Sequence, residues 1–268
     1  FDLLMRERDI TREILLAQAE QFQVCPFEMC LDASLWADDI ICDYNYVFDP
    51  NVYLKRFFAE GVKGEYLFLV DEAHNLVERG REMYSAVLYK EDFLKYKKIL
   101  KNYSKKCSAS LERCNKHLLK MKRDCDGYRV LGGIEELIFA LMQIGSAMEE
   151  FFQQEINMPE AKEVQEFYLN IRHFMNMYEL VDENYVIYTE HEADGRFKLK
   201  LFCVSPAVNL QSCIDKGRST IFFSATLLPI QYYKKLLSTC TDNYAVYAQS
   251  VFGKEQKLLA VARDVSSK

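Results

Sequence analysis

The stretch Glu65-Tyr66-Leu67-Phe68-Leu69-Val70-Asp71-Glu72-Ala73-His74-Asn75 constrains this chain more than any other. An unbroken apolar run that stops at two adjacent carboxylates has the pattern of a strand buried on both faces, as in a parallel sheet covered by helices. In open α/β sheets, ligands bind beyond the carboxyl ends of the strands, so Leu67 to Val70 would anchor Asp71 and Glu72 before a ligand. Two such acids can divide the work of phosphate chemistry. One holds Mg²⁺, which prefers oxygen ligands, and the other orients or deprotonates an attacking water. A second apolar run, Thr220-Ile221-Phe222-Phe223, stops at Ser224-Ala225-Thr226. Hydroxyls at the end of an adjacent strand are the right groups to reach His74 or Glu72 by hydrogen bond. The plainer reading of Ser224 and Thr226 is helix capping before Leu227.

Composition bounds the class. With 268 residues, 50% of them hydrophobic, the chain can bury a sizeable core in one or two domains. No apolar run approaches the roughly 20 residues of a membrane span, and the N-terminal residues lack the layout of a signal peptide. The expectation is a soluble, cytoplasmic chain, associated with the nucleoid if bacterial, with no membrane partner, and a monomer. Nine irregularly spaced cysteines read as reduced thiols. A formal charge of −6 argues against holding nucleic acid by bulk charge, so any such contact needs a local patch. The start at Phe1 and the end at Ser267-Lys268 read as those of a piece of a longer polypeptide.

Helical spacing predicts an amphipathic helix from Asp2 to Gln23, leading into Cys25-Pro26-Phe27. Ile40 to Cys42 reads as a short buried strand, and Pro50 as the opening of a helix carrying Tyr53, Leu54 and Phe57. After Met83 the residues are those of long helices: Leu88 to Leu100, Ser110 to Asp124, Ile134 to Phe152 and Glu163 to Leu180. Asp194-Gly195 predicts a hairpin between Val186–Thr189 and Phe197–Cys203. Pro206 and Pro229 open the helices Ala207–Ile214 and Ile230–Leu237. Between Lys90 and Arg123 twelve basic residues face only Glu91, Asp92 and Glu112. Tyr89, Tyr96 and Tyr103 recur among them at a spacing that keeps them near one side of a helix. This stretch reads either as a surface that tracks a phosphate backbone or as an ordinary solvated helix face.

Several of these stretches fall in the order seen in one family. Cys25-Pro26-Phe27, the loop Ile41-Cys42-Asp43-Tyr44-Asn45-Tyr46 with Asp49-Pro50, Asp71-Glu72-Ala73-His74, a helical insert, and Phe223-Ser224-Ala225-Thr226-Leu227 resemble the XPD/DinG family of iron–sulfur DEAH-box superfamily 2 DNA helicases. The resemblance implies a partial RecA-like lobe with a parallel sheet and a large inserted all-helical arch. Its divisions would be the end of a cluster domain at 1–30, lobe 1 with its Walker B acids at 31–83, the arch at 84–165, and the rest of lobe 1 at 166–268. It implies that Asp71 holds Mg²⁺, that Glu72 activates water on ATP, and that His74 links the nucleotide site to the rest of the motor. Ser224 and Thr226 would couple hydrolysis to movement. Cys25 would be the last of four ligands of a 4Fe-4S cluster. Lys95, Lys97, Lys98, Lys101, Lys105, Lys106, Tyr44 and Tyr46 would contact single-stranded or forked DNA, with 5′ to 3′ polarity, in repair or replication.

The chain departs from that family in two respects. It has no Gly-x-x-x-x-Gly-Lys-Ser/Thr loop, and the other three cluster cysteines would lie upstream of Phe1. The chain by itself is therefore expected to hydrolyse no ATP and to hold no cluster, while the full-length protein would do both. The alternative is a non-catalytic nucleic-acid-binding or scaffolding module that keeps the fold. A hydrolase with Asp71, Glu72 and His74 as direct metal ligands is a poor fit, because residues this close in a chain leaving a strand point different ways.

Overall fold

The computed structural model describes residue 7 and residues 9–59, 61–154 and 158–249, together with positions 253, 255 and 258. The chain divides into two units, Phe1–Val47 and Phe48–Lys268.

In the first unit, α1 (Arg12–Phe22) starts where the Thr11 hydroxyl accepts the Ile14 amide at 3.4 Å. It stops where Gln23 turns left-handed, at φ 52°, and the next amide, of Val24, returns to Ala19 O at 3.0 Å. The predicted helix is therefore shorter. Ile10 lies exposed before it, and residues 1–6 and 8 fall outside the described residues. Pro26 opens α2 (Pro26–Ser34), and Ala19 packs on Met29 with Ile14, Leu15 and Ala33 around them. Ile40 to Cys42 forms no strand: it pairs with no neighbour among the described residues, and Ile41 is fully exposed. All three residues are exposed, so water rather than a ladder partner satisfies their backbone.

The short α3 (Asn45–Phe48) spans the division between the units. Asp49-Pro50 makes a turn rather than a helix start, because the Asp49 carboxylate accepts the Asn51 amide at 2.8 Å. The helix that follows is only α4 (Lys55–Phe58).

The second unit is mixed α/β. Strand β1 (Leu67–Val70) leads into α5 (His74–Met83), and β1 pairs in parallel with β6 (Ser219–Phe222), in register from Leu67↔Ser219 to Val70↔Phe222. Between them lie β2 (Ala86–Tyr89), α6 (Lys90–Leu100), α7 (Lys105–Arg123), β3 (Tyr128–Leu131), α8 (Glu135–Phe152), α9 (Ala161–Tyr178), β4 (Tyr185–His191), β5 (Phe197–Cys203) and α10 (Ala207–Ile214). The helix α11 (Ile230–Leu237) follows β6. Strands β2, β5, β4 and β3 form an antiparallel sheet in that order, with Gly195 at φ 84° in the predicted β4–β5 hairpin.

The stretch 84–165 is not all-helical, since it holds β2 and β3, and their sheet partners β4 and β5 come from beyond residue 165. Strand β1 is not buried on both faces either. Val70 is 6% exposed, but Leu67 and Leu69 are 67% and 68% exposed. Among the described residues the parallel sheet has two strands, and one face is covered: Phe68 packs on Phe58 at 5.8 Å and beside Tyr66. The tyrosine series also separates. Tyr89 ends β2, Tyr96 stacks on Phe167 at 4.2 Å inside the helical layer, and Tyr103 lies exposed beyond α6.

The inner face of the antiparallel sheet carries fully buried Leu88, Phe197, Leu199 and Leu201, and Phe93 of α6 meets Phe167 of α9 edge-on at 5.3 Å. Helix α5 is fastened to the β5–α10 corner. Arg81 Nε donates to Val204 O at 2.9 Å, and Ser85 Oγ accepts the Cys203 amide at 3.0 Å. Gly80 lets Pro206 approach so closely that a Cβ there would lie 2.9 Å from the proline Cβ. Among the described residues no helix is long and apolar enough to cross a membrane.

Candidate functional site

The parallel pairing of β1 and β6 continues past both strands. Phe223 N donates to Val70 O at 3.0 Å and Ala73 N to Phe223 O at 3.2 Å, which sets Asp71–His74 beside Ser224–Thr226. Asp71 turns one carboxylate oxygen back to the Glu72 amide, at 2.7 Å, and both acids are exposed. Glu72 has a φ of 46°, a left-handed conformation that costs a residue other than glycine about 1–3 kcal/mol. Nothing in the local sequence marks that position, because Glu is not a residue that favours it.

His74 opens α5, with Nδ1 2.8 Å from Ser224 Oγ and 3.1 Å from Glu72 Oε2. Ser224 Oγ is in turn 3.1 Å from Glu72 Oε2 and accepts the Thr226 amide at 3.2 Å. Proton counting orders this network. The carboxylate of Glu72 only accepts, so the Ser224 hydroxyl donates to it, and His74 Nδ1–H donates to Ser224. The imidazole is thereby held as the Nδ1–H tautomer. Side-chain exposures of 30% for His74 and 57% for Glu72 leave the contact well solvated, worth under about 1 kcal/mol. Its effect is positional: one hydroxyl ties the acid on one strand end to the histidine at a helix start.

The donor set suits Mg²⁺, which keeps several waters and is bound by one or two carboxylates plus substrate phosphates rather than by an all-protein cage. Asp71 and Glu72 offer that number, and no group of three His, Cys, Asp or Glu side chains among the described residues makes a fuller cage. A cluster fits less well. Cys25 sits at the N-cap of α2 with an exposed thiol, and the described residues do not by themselves make a four-thiolate site.

The other expected contact residues lie elsewhere. Tyr44 and Tyr46 are half-buried around a turn in which Asp43 accepts the Asn45 and Tyr46 amides. Lys95, Lys97 and Lys106 are bound to Glu163, Glu112 and Glu150 at 2.6, 2.5 and 2.6 Å, while Lys98, Lys101 and Lys105 are exposed without a carboxylate partner among the described residues.

Fold and site define a mixed α/β protein whose reactive side chains cluster at the carboxyl ends of two parallel strands. Residues 3–93 match the DEAD_2 family. Over 73 residues the chain is 32% identical to the Fanconi anemia group J protein homolog of Gallus gallus, a match covering 27% of this chain and 6% of that protein. Over part of its length the chain is thus similar to XPD-like superfamily 2 helicases. The family match includes Cys25, Asp71, Glu72 and His74 and ends before Lys95.

Proposed function

We propose that this chain is part of an ATP-dependent DNA helicase that moves 5′ to 3′ on single-stranded or forked DNA in repair or replication. It would supply the Walker B acids and the Ser-Ala-Thr triplet of a RecA-like lobe, together with an inserted arch. The observation that carries the reading is the 2.8 Å contact between His74 and Ser224, with Glu72 bound to both. Asp71 would hold Mg²⁺ with the ATP phosphates, where the ion neutralises developing charge. Glu72 orients the attacking water and takes its proton. As its charge is neutralised, it loosens its hold on the Ser224 hydroxyl, and Ser224 and His74 pass that change to both strand ends. Tyr44, Tyr46 and, in the stretch from Lys95 to Lys106, the lysines without a carboxylate partner among the described residues, Lys98, Lys101 and Lys105, are assigned to the DNA, and Cys25 to a 4Fe-4S cluster completed by three further cysteines of the full-length protein.

Glu72→Gln in the intact protein tests this. Single-strand-stimulated ATP hydrolysis should fall about 10²–10⁴-fold, with nucleotide binding retained, because a general base is lost and the Mg²⁺ ligand is not. Undiminished hydrolysis in the variant would overturn the role of Glu72, and an intact protein that hydrolyses no ATP would make the chain part of a binding module that keeps the fold without the motor.

A further inference from the structure

We propose that single-stranded DNA runs along the outer face of α7, its phosphates held by Lys116, Lys120 and Arg123 and a base stacked on Tyr128. The inference deepens the proposed function and rests on it for the choice of DNA. Its starting point is which basic side chains are already occupied. A lysine that holds a carboxylate exchanges one anion for another when a phosphate arrives, and so releases little counterion. That describes Lys95, Lys97 and Lys106, and also Lys122, which holds Glu91 at 3.0 Å. Lys116, Lys120 and Arg123 are exposed and have no carboxylate partner among the described residues.

Spacings of four and three residues place these three on one face of α7. With Leu119 and Asp124 they line a concavity of about 410 Å³. Asp124 is the one acid there, and Arg129 stands 3.9 Å from it. The free cluster covers about 10 Å of α7, and Lys105 lies on the same face near the helix start, with Glu112, already held by Lys97, between them.

The chain then turns through Gly127, at φ 80°, and presents Tyr128 with 72% of its surface exposed. Four residues lie between Arg123 and Tyr128, five chain steps with a reach of at most about 18 Å. On the outer sheet face the register sets Val130 beside Tyr188, and with Tyr128, Val186 and Glu190 they line a second concavity of about 350 Å³. The charge of Glu190 is met by Lys198 at 2.8 Å. A basic track that leads to an exposed aromatic ring is the arrangement that binds single strands without reading sequence.

Lys120 and Arg123 also suit the C-terminal end of the helix dipole, but Lys116 lies too far from that end to serve it. This makes Lys116 the discriminating position. The test is fluorescence anisotropy of the chain with a labelled oligothymidylate across a salt series. Neutralising the free set (Lys116→Gln, Lys120→Gln, Arg123→Gln) should make the slope of log K on log salt shallower by about 2, and binding about 100-fold weaker at about 0.1 M salt. Lys116→Gln alone should remove about 0.7 of that slope without altering the fold. Tyr128→Ala should weaken binding about tenfold and leave the slope unchanged, because stacking displaces no counterions. Neutralising the paired set (Lys95→Gln, Lys97→Gln, Lys106→Gln) removes the same charge and should cost much less.

Equal losses from the two sets would mean bulk attraction, and an unchanged slope in the free-set variant would leave the stripe a solvated face; either overturns the proposal. So would an RNA oligomer or a duplex binding more tightly than single-stranded DNA. Hydrolysis plays no part in the measurement, so a failed Glu72 test and a failed stripe are told apart.

Discussion

Replacing Glu72 by Ala and by Gly separates the backbone of the site from its chemistry. Both variants lose the carboxylate and its contacts to Ser224 and His74, each 3.1 Å long, so that loss cancels between them. What remains is the backbone at φ 46°. A left-handed conformation costs an L-residue about 1–2 kcal/mol and glycine nothing, whereas glycine gives the unfolded chain about 0.4–1 kcal/mol more entropy to lose. The balance leaves Glu72→Gly more stable than Glu72→Ala by about 1 kcal/mol. For a chain of this size that is a melting temperature about 2–4 °C higher. Urea unfolding and thermal scans followed by circular dichroism measure both quantities. An alanine variant as stable as the glycine one would refute the reasoning, since the backbone at residue 72 would then be free of strain.

Gly80→Ala should destabilise the chain. Alanine improves the helix by about 0.8–1 kcal/mol, but a Cβ placed 2.9 Å from Pro206 costs about 1–3 kcal/mol in overpacking. A denaturant midpoint that rises instead would mean that α5 does not lie against Pro206. In thiol titration of the native chain, exposed Cys25, Cys30, Cys42 and Cys240 should react, with Cys42 slowest because burial of its sulfur and then Asp43 raise its pKa. Cys107, Cys114, Cys125, Cys203 and Cys213 should wait for denaturant. Burial pushes the Cys114 thiol up to about 12 from 9.0, so the native state holds this proton more tightly. Its share of stability is complete below pH 9 and lost as pH climbs towards 12, which denaturant midpoints across that range should follow.

The strand ends were legible because each is local: an apolar run and its polar stop lie within a few consecutive residues at Val70-Asp71 and at Phe223-Ser224. Burial of the run was not, since Leu67 and Leu69 are as apolar as core residues and only the placement of neighbouring elements exposes them. Two strands were hidden for different reasons. Ala86 to Tyr89 runs straight into α6 without a breaker. Tyr128 to Leu131 falls between two long helical patterns and is only four residues long, although its flanking by Gly127 and Gly132-Gly133 is a strand signal. The pairing of the lysines was hidden by distance. Glu163 and Glu150 lie 68 and 44 positions from the lysines they bind, so no local charge count finds them.

The site's two halves are themselves 152 positions apart, and bringing such distant segments together costs chain entropy. The ladder of β2 with β5, from Ala86↔Leu201 to Tyr89↔Lys198, changes that cost. Once it has zipped, only about 34 residues of open chain separate the end of β1 from the start of β6, a saving of about 1.3 kcal/mol. The antiparallel sheet then acts as a matchmaker for the parallel one. During synthesis the acids would emerge early and wait, and Ser224 would reach them last.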